Sequence, residues 1–273
     1  MTTSNKSHLP YPTEMPQGNY TFPNPPINNI IKNNIQNSDN GSIYGESFKP
    51  KKAGTKTSHV IFVLDYSSSM QSCKESTISG FNEFLDTQAK DEKDNGIKTY
   101  VSLYIFDGQS VKCSYACKHI SKVDKLTTQS YDPSGTTNLY DAIGGVILNL
   151  NKDLESKKKK ERDSIIVSIL TDGQENCSQS FSQKDIKYMI EKAEAKNWGF
   201  IFLGANIDSF SVGKNLGFTQ DNIMQYNTTK MENTMRAASN MTSRMKSAYA
   251  QNLDTKSVYE ESAFTDTERK GSV

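Results

Sequence analysis

The chain has 273 residues, 34% hydrophobic and 23% charged, with 32 basic and 31 acidic side chains for a formal net charge of +1. That length admits one large domain or two small ones, and the near-neutral balance excludes a general electrostatic affinity for nucleic acid or an anionic membrane. No stretch approaches the ~20 apolar residues of a membrane span, and no apolar h-region follows Lys6 and His8, so neither membrane insertion nor a secretory signal is expected.

Seven of the eight prolines (Pro10, Pro12, Pro16, Pro23, Pro25, Pro26 and Pro50) fall early, and the same stretch is rich in Asn and Ser. Such a segment has too little apolar surface to offset its ordering entropy, so residues 1–55 are expected to be a disordered arm. Residues 56–250 then form one domain, large enough for a proper core, and residues 251–273 a polar, frayed tail. Within the arm, Ile27, Ile30, Ile31 and Ile35 share a helical face that either docks on a partner or is incidental to a polar linker. Of the four cysteines only Cys113 and Cys117 are close in sequence, and no second pair sits at zinc spacing. Reduced thiols in a cytoplasmic protein are the expectation.

From His59 the pattern is regular. His59 to Leu64 is a short apolar run rich in β-branched and aromatic residues, the mark of a buried strand. A helix follows over about 72–90, with Ile78, Phe81, Phe84 and Leu85 on one face. Strands are predicted over 98–106 and 110–116, a helix over 138–154 with Leu139, Ile143, Val146, Ile147 and Leu150 on one stripe, and a strand over 164–170. A helix over 182–196, a strand over 198–203, a short helix over 208–216, a short strand over 222–226 and a helix over 230–249 complete the order. The methionines of that last helix, Met231, Met235, Met241 and Met245, are read as core filler. Strands of 5–8 residues alternating with helices predict an α/β fold, a doubly wound and mostly parallel central sheet with helices on both faces.

In such sheets ligands bind beyond the carboxyl ends of the strands, near a topological switch point. The first buried strand ends Asp65-Tyr66-Ser67-Ser68-Ser69, and the strand from Ser164 ends Thr171-Asp172-Gly173. The loop Tyr131-Asp132-Pro133-Ser134-Gly135-Thr136-Thr137-Asn138 leads into a helix between them. Carboxylates and hydroxyls without imidazole or thiolate are a hard-oxygen set, suited to Mg²⁺, Mn²⁺ or Ca²⁺. Taken alone, the three serines equally suit a helix cap. Three segments agreeing, two strand ends and the loop between them, favour a cation.

Asp-x-Ser-x-Ser after a buried strand, Gly-x-Thr before a helix and Thr-Asp-Gly after a second buried strand resemble the metal-ion-dependent adhesion site (MIDAS) of von Willebrand factor A domains. The resemblance covers about residues 59–249. PSGTTNLYDAIG, ILTDGQEN and Phe200 to Asn206 further resemble a soluble bacterial and bacteriophage branch of that family. It implies metal ligands Asp65, Ser67, Ser69, Thr137 and Asp172, with Thr137 preferred over Thr136 because the helix begins right after it. It further implies a Rossmann-like sheet and a Mg²⁺ (or Mn²⁺/Ca²⁺) cofactor. The function implied is recognition of a partner protein that presents an Asp or Glu to the cation. For a phage-encoded chain the site of action would be the host cytoplasm.

Other functions fit less well. A dehalogenase-type phosphatase would need a second acid two residues after Asp65, where Ser67 cannot serve as general acid. Phosphate-loop, dinucleotide and nucleophile-elbow motifs are missing, and His8, His59 and His119 match no catalytic pattern. No enzyme activity is expected. Lys157 to Lys160 is the one sharp basic run, without interleaved aromatics for base stacking. A scaffold acting through the arm, with a structural metal, is the alternative. Asp107 and Glu175 lie near strand ends but suit turns and caps, and stay outside the metal set.

Overall fold

The computed structural model describes residues 18–20, 57–155, 163–205 and 208–273. Its seven strands are β1 (Gly18–Tyr20), β2 (Thr57–Asp65), β3 (Lys98–Phe106), β4 (Val111–His119), β5 (Ser164–Thr171), β6 (Trp198–Ala205) and β7 (Ile223–Tyr226). They form one sheet in the order β1-β4-β3-β2-β5-β6-β7. The five strands from β3 to β7 across the sheet are parallel, whereas β4 runs antiparallel to β3 and β1 antiparallel to β4. The helices are α1 (Lys74–Asn95), α2 (Leu139–Glu155), α3 (Gln183–Glu194), α4 (Ser209–Asn215), α5 (Met231–Ala250), α6 (Thr255–Ser262) and α7 (Asp266–Ser272).

Both faces of the sheet are covered, which is why the central strands read as unbroken apolar runs. In β2, Val60, Phe62 and Leu64 pack toward α1 and α5, against Phe81, Phe84, Met235 and Met241. Ile61 and Val63 face the other way, toward Ile143, Val146 and Ile147 of α2 and Ile186 and Ile190 of α3. All four methionines expected in the core are fully buried there. Packing over Gly199 is close: a Cβ there would sit 2.1 Å from the Met245 methyl and 3.1 Å from the Tyr249 hydroxyl, so the Met245 side chain would have to move.

Two expectations need revision. Within the Pro/Asn-rich arm, Gly18–Tyr20 forms an edge strand on β4, pairing Tyr20 with Val111. The rest of that arm, its isoleucine face and the Lys157 to Lys160 run lie outside the described residues.

The polar tail after residue 250 does not fray. It folds into α6 and α7, capped by Asp254 and by a Thr265–Glu268 capping box. Val258, Tyr259 and Phe264 are buried in the α1/α5-side core. The Tyr259 hydroxyl donates to Glu194 Oε1 at 2.7 Å and accepts from the Phe200 N–H at 3.0 Å. A low apolar content hid these anchors, because three well-placed side chains suffice to hold two short helices. Tyr259→Ala is expected to cost about 3 kcal/mol, read as a lower midpoint in urea. A cost within ±0.5 kcal/mol, the range of surface sites, would mean that α6 is not held by this contact.

Candidate metal centre

The chain leaves β2 through α1 to reach β3 on one side, and later reaches β5 on the other side of β2 through α2. The carboxyl ends of β2 and β5 therefore flank the point where the winding reverses, the position at which such sheets open a ligand crevice. Asp65 closes β2, and Asp172 follows the last residue of β5.

Asp65 is fully buried. Its Oδ1 accepts the Ser67 N–H at 2.7 Å, and its Oδ2 accepts the Thr171 hydroxyl at 2.6 Å. These bonds fold the chain after β2 back on itself, so the Ser67 and Ser69 hydroxyls meet at 3.0 Å. Ser69 Oγ also donates to Asp172 Oδ1 at 2.5 Å. Ser67 and Asp172 are buried, whereas Ser69 is exposed, which opens the cluster to solvent on one side. Ser68 points away and accepts the Gly135 N–H at 2.9 Å, stitching this loop to the one before α2.

That second loop delivers Thr137. A Cβ on Gly173 would lie 2.9 Å from Thr137 Oγ1 and 3.5 Å from Ser69 Oγ, so all three segments converge beside a glycine that leaves the room. Thr136 faces elsewhere, its hydroxyl on the Cys177 sulfur at 3.4 Å. The structure thus brings Asp65, Ser67, Ser69, Thr137 and Asp172 to one place and leaves Thr136 out.

Burial pushes the Asp65 carboxyl up to about 6, and the neighbouring Asp172 charge adds to the rise. Burial raises Asp172 as well. Asp172 Oδ2 is buried with no hydrogen-bond partner. An orphaned carboxylate oxygen beside a second desolvated carboxylate and three hydroxyls is a site short of positive charge. The donor set fits a hard divalent cation. Among the described residues, no group of three or more His, Cys, Asp and Glu forms a metal cluster; three of the five residues here are Ser or Thr, which such a grouping does not count.

The supporting contacts were not foreseen. Thr171 holds Asp65, Asn176 Oδ1 accepts the Thr137 N–H at 3.1 Å, and the Tyr131 hydroxyl donates to the Asp65 carbonyl at 2.7 Å. Only Thr171 carried a signal, as a hydroxyl next to the Asp172-Gly173 turn. Glu175 organises its own loop by accepting from the Tyr140, Cys177 and Ser178 N–H groups, and Asp107 accepts from Gln109 and Ser110 in its turn. Both are turn and cap residues.

No protein-family model and no curated protein matches the sequence. Solved structures do. The vWF domain of the type V pili tip protein Mfa5 from Porphyromonas gingivalis superposes at a TM-score of 0.50 with 11% identity, covering 68% of this chain and 95% of that domain. The chain has the von Willebrand factor A fold. Proximal thread matrix protein 1 from the mussel byssus superposes at the same TM-score of 0.50 with 15% identity, over 67% of this chain. This chain spans about half of the mussel protein's length, 47%. At these identities the likeness concerns the A-domain fold. No helix among the described residues is long and apolar enough to cross a membrane.

Proposed function

We propose that this A domain is a metal-dependent protein-binding module with an intact MIDAS, whose divalent cation engages an acidic residue of a partner protein. The observation that carries the reading is Asp172 Oδ2, a buried carboxylate oxygen without a hydrogen bond, set among the Asp65 carboxylate and the Ser67, Ser69 and Thr137 hydroxyls. Asp65, Ser67, Ser69, Thr137 and Asp172 would hold Mg²⁺, or Mn²⁺ or Ca²⁺. When bound, the cation supplies positive charge to which a partner's Asp or Glu can bind.

The chain's own groups do the positioning. Thr171 and the Ser67 N–H hold Asp65 in one orientation, and Ser69, on the exposed side, marks the direction from which a partner would approach. The cluster combines two carboxylates with three hydroxyls and has no imidazole, thiol or lysine, a hard-oxygen set suited to holding a cation. The resemblance in PSGTTNLYDAIG and ILTDGQEN supports a place in the bacterial and bacteriophage branch, acting in the cytoplasm.

The test is affinity capture with the full chain in Mg²⁺, in EDTA, and with Asp65→Ala. A partner retained in Mg²⁺ and lost in the other two conditions is the expected result. Identical partner sets in all three conditions would sink the reading and leave the scaffold alternative.

A further inference from the structure

At the opposite edge of the sheet, a second group of side chains stands outside the crevice. His59 lies near the start of β2, Tyr100 near the start of β3, Cys117 near the end of the antiparallel β4, and Asp163 just before β5. Six residues of strand, ~20 Å, separate His59 from Asp65. His59 Nε2 lies 2.9 Å from Asp163 Oδ2, and the Cys117 sulfur lies 3.8 Å from His59 Nδ1. An ionised carboxylate only accepts, so Nε2 carries the proton and Nδ1 is left to accept from the thiol. The ring is held flat against Tyr100, centroids 5.4 Å apart at 20°, and Tyr100 in turn meets the edge of His119.

The backbone presents the thiol. Val101 pairs with Lys118 but Leu103 pairs with Tyr115, so Ala116 and Cys117 together oppose Ser102 in a β-bulge. Cys117 sits there at φ 48°, a left-handed conformation costly for a side chain with a Cβ, and its N–H donates to Ser102 Oγ at 2.9 Å. Bulges of this kind re-aim a side chain and recur beside functional groups. Cys117 is partly exposed, in contrast to the buried Cys73 and Cys113.

We infer that Cys117, His59 and Asp163 form a reactive-thiol site that undergoes exchange with low-molecular-weight disulfides such as glutathione disulfide. His59 Nδ1 takes the thiol proton, and the imidazolium, oriented by Asp163, stabilises the thiolate. The thiolate attacks one sulfur of the disulfide. A new S–S bond to Cys117 forms as the old one breaks, and the departing thiolate takes the proton back from His59. Cys117 is oxidised to the mixed disulfide, and one glutathione leaves as its thiol. Acyl transfer fits less well, because the N–H of the nucleophile, a common oxyanion donor, is engaged by Ser102. Thiol exchange develops no oxyanion. The inference is independent of the metal site.

The experiment exposes the full chain to glutathione disulfide at pH 7, quenches with acid, and quantifies each cysteine by peptide mass spectrometry. Cys177, similarly part-exposed, is the reference within the same molecule. Cys117 is expected to react at least tenfold faster than Cys177. Asp163→Asn should slow Cys117 at least fivefold without moving Cys177, and Asp163→Glu should restore at least half of the rate. His59→Gln, with folding verified by circular dichroism, should bring Cys117 down to the Cys177 rate. Equal rates in the unmodified chain, or an unchanged Cys117 rate in Asp163→Asn, would overturn the inference and reduce the contact to a staple of the bulge.

Discussion

Magnesium at about a hundred times its dissociation constant is expected to raise the unfolding midpoint of the metal-free protein by roughly 5–10 °C at pH 7.5. A ligand at that level adds about 2.7 kcal/mol to the folded state, and a domain of this size gains about 2–4 °C per kcal/mol. The pH dependence of the metal-free protein runs the other way. Burial holds Asp65 protonated to about pH 6, against an ordinary carboxyl at 3.8. Folding therefore takes up a proton between those values. The resulting stabilisation is complete below the unfolded value and is lost as pH rises through about 6, so metal-free protein is more stable at pH 5 than at pH 7.5 by about 1 kcal/mol from this group. Protons compete with the cation for the same oxygens, so the magnesium increment shrinks at pH 5.

Asp65→Asn separates the metal reading from a plain turn. The amide can accept the Ser67 N–H through its oxygen and donate to Thr171 Oγ1, whose hydroxyl already lies 3.2 Å from the Gly173 carbonyl as an alternative acceptor. Removing a desolvated charge leaves the metal-free fold at pH 7.5 as stable as before or more so, and abolishes the magnesium response. Scanning calorimetry with and without magnesium reads both. A variant that still responds to magnesium like the parent would exclude Asp65 as a ligand.

Asp91→Ala is expected to cost about 3–5 kcal/mol, because it leaves a lysine charge buried without its partner. Lys246 of α5 has no exposed side-chain surface, and its Nζ sits 2.6 Å from Asp91 Oδ2 of α1. Nζ also donates to Gln88 Oε1 at 3.0 Å, and the Gln88 amide donates to the Ser239 carbonyl and to the Ser239 and Ser243 hydroxyls. This polar seam ties α1 to α5 where both helices otherwise bury Phe81, Phe84, Met235 and Met241. Burial pushes the Lys246 ammonium down, and Asp91 opposes that shift. Adding Lys246→Met to Asp91→Ala should recover most of the loss, since an apolar replacement of a buried pair is often neutral or stabilising. Urea denaturation of the two variants decides it: a loss under 1 kcal/mol in Asp91→Ala would mean that the lysine reaches water and the seam is not holding the helices.

Most of the sheet was legible because its signals are local. The β2 run from His59 to Leu64 and the α2 stripe of Leu139, Ile143, Val146, Ile147 and Leu150 carry their own period, and all of those residues are buried. The five crevice residues were legible for a related reason: each stands at a strand or helix end, where a parallel sheet must place them. The C-terminal helices were missed because Val258, Tyr259 and Phe264 are three anchors in a polar stretch, and nothing local says that a hydrophobic surface waits for them. The partners Thr171, Asn176 and Tyr131 were missed because they lie 39 to 106 positions from the residues they hold.

Sequence alone determined the alternation of strands and helices, the parallel sheet and the oxygen-rich strand ends, since these follow from periodicity and residue chemistry over a few positions. Tertiary structure decided which hydroxyls meet, that Thr137 reaches the Gly173 turn while Thr136 turns to Cys177, that one Asp172 oxygen is left unpaired, and that Cys117, His59 and Asp163 share the far edge. Those outcomes depend on strand register and loop closure between distant segments, and a half-turn or one-residue slip that leaves every local pattern intact would change them all.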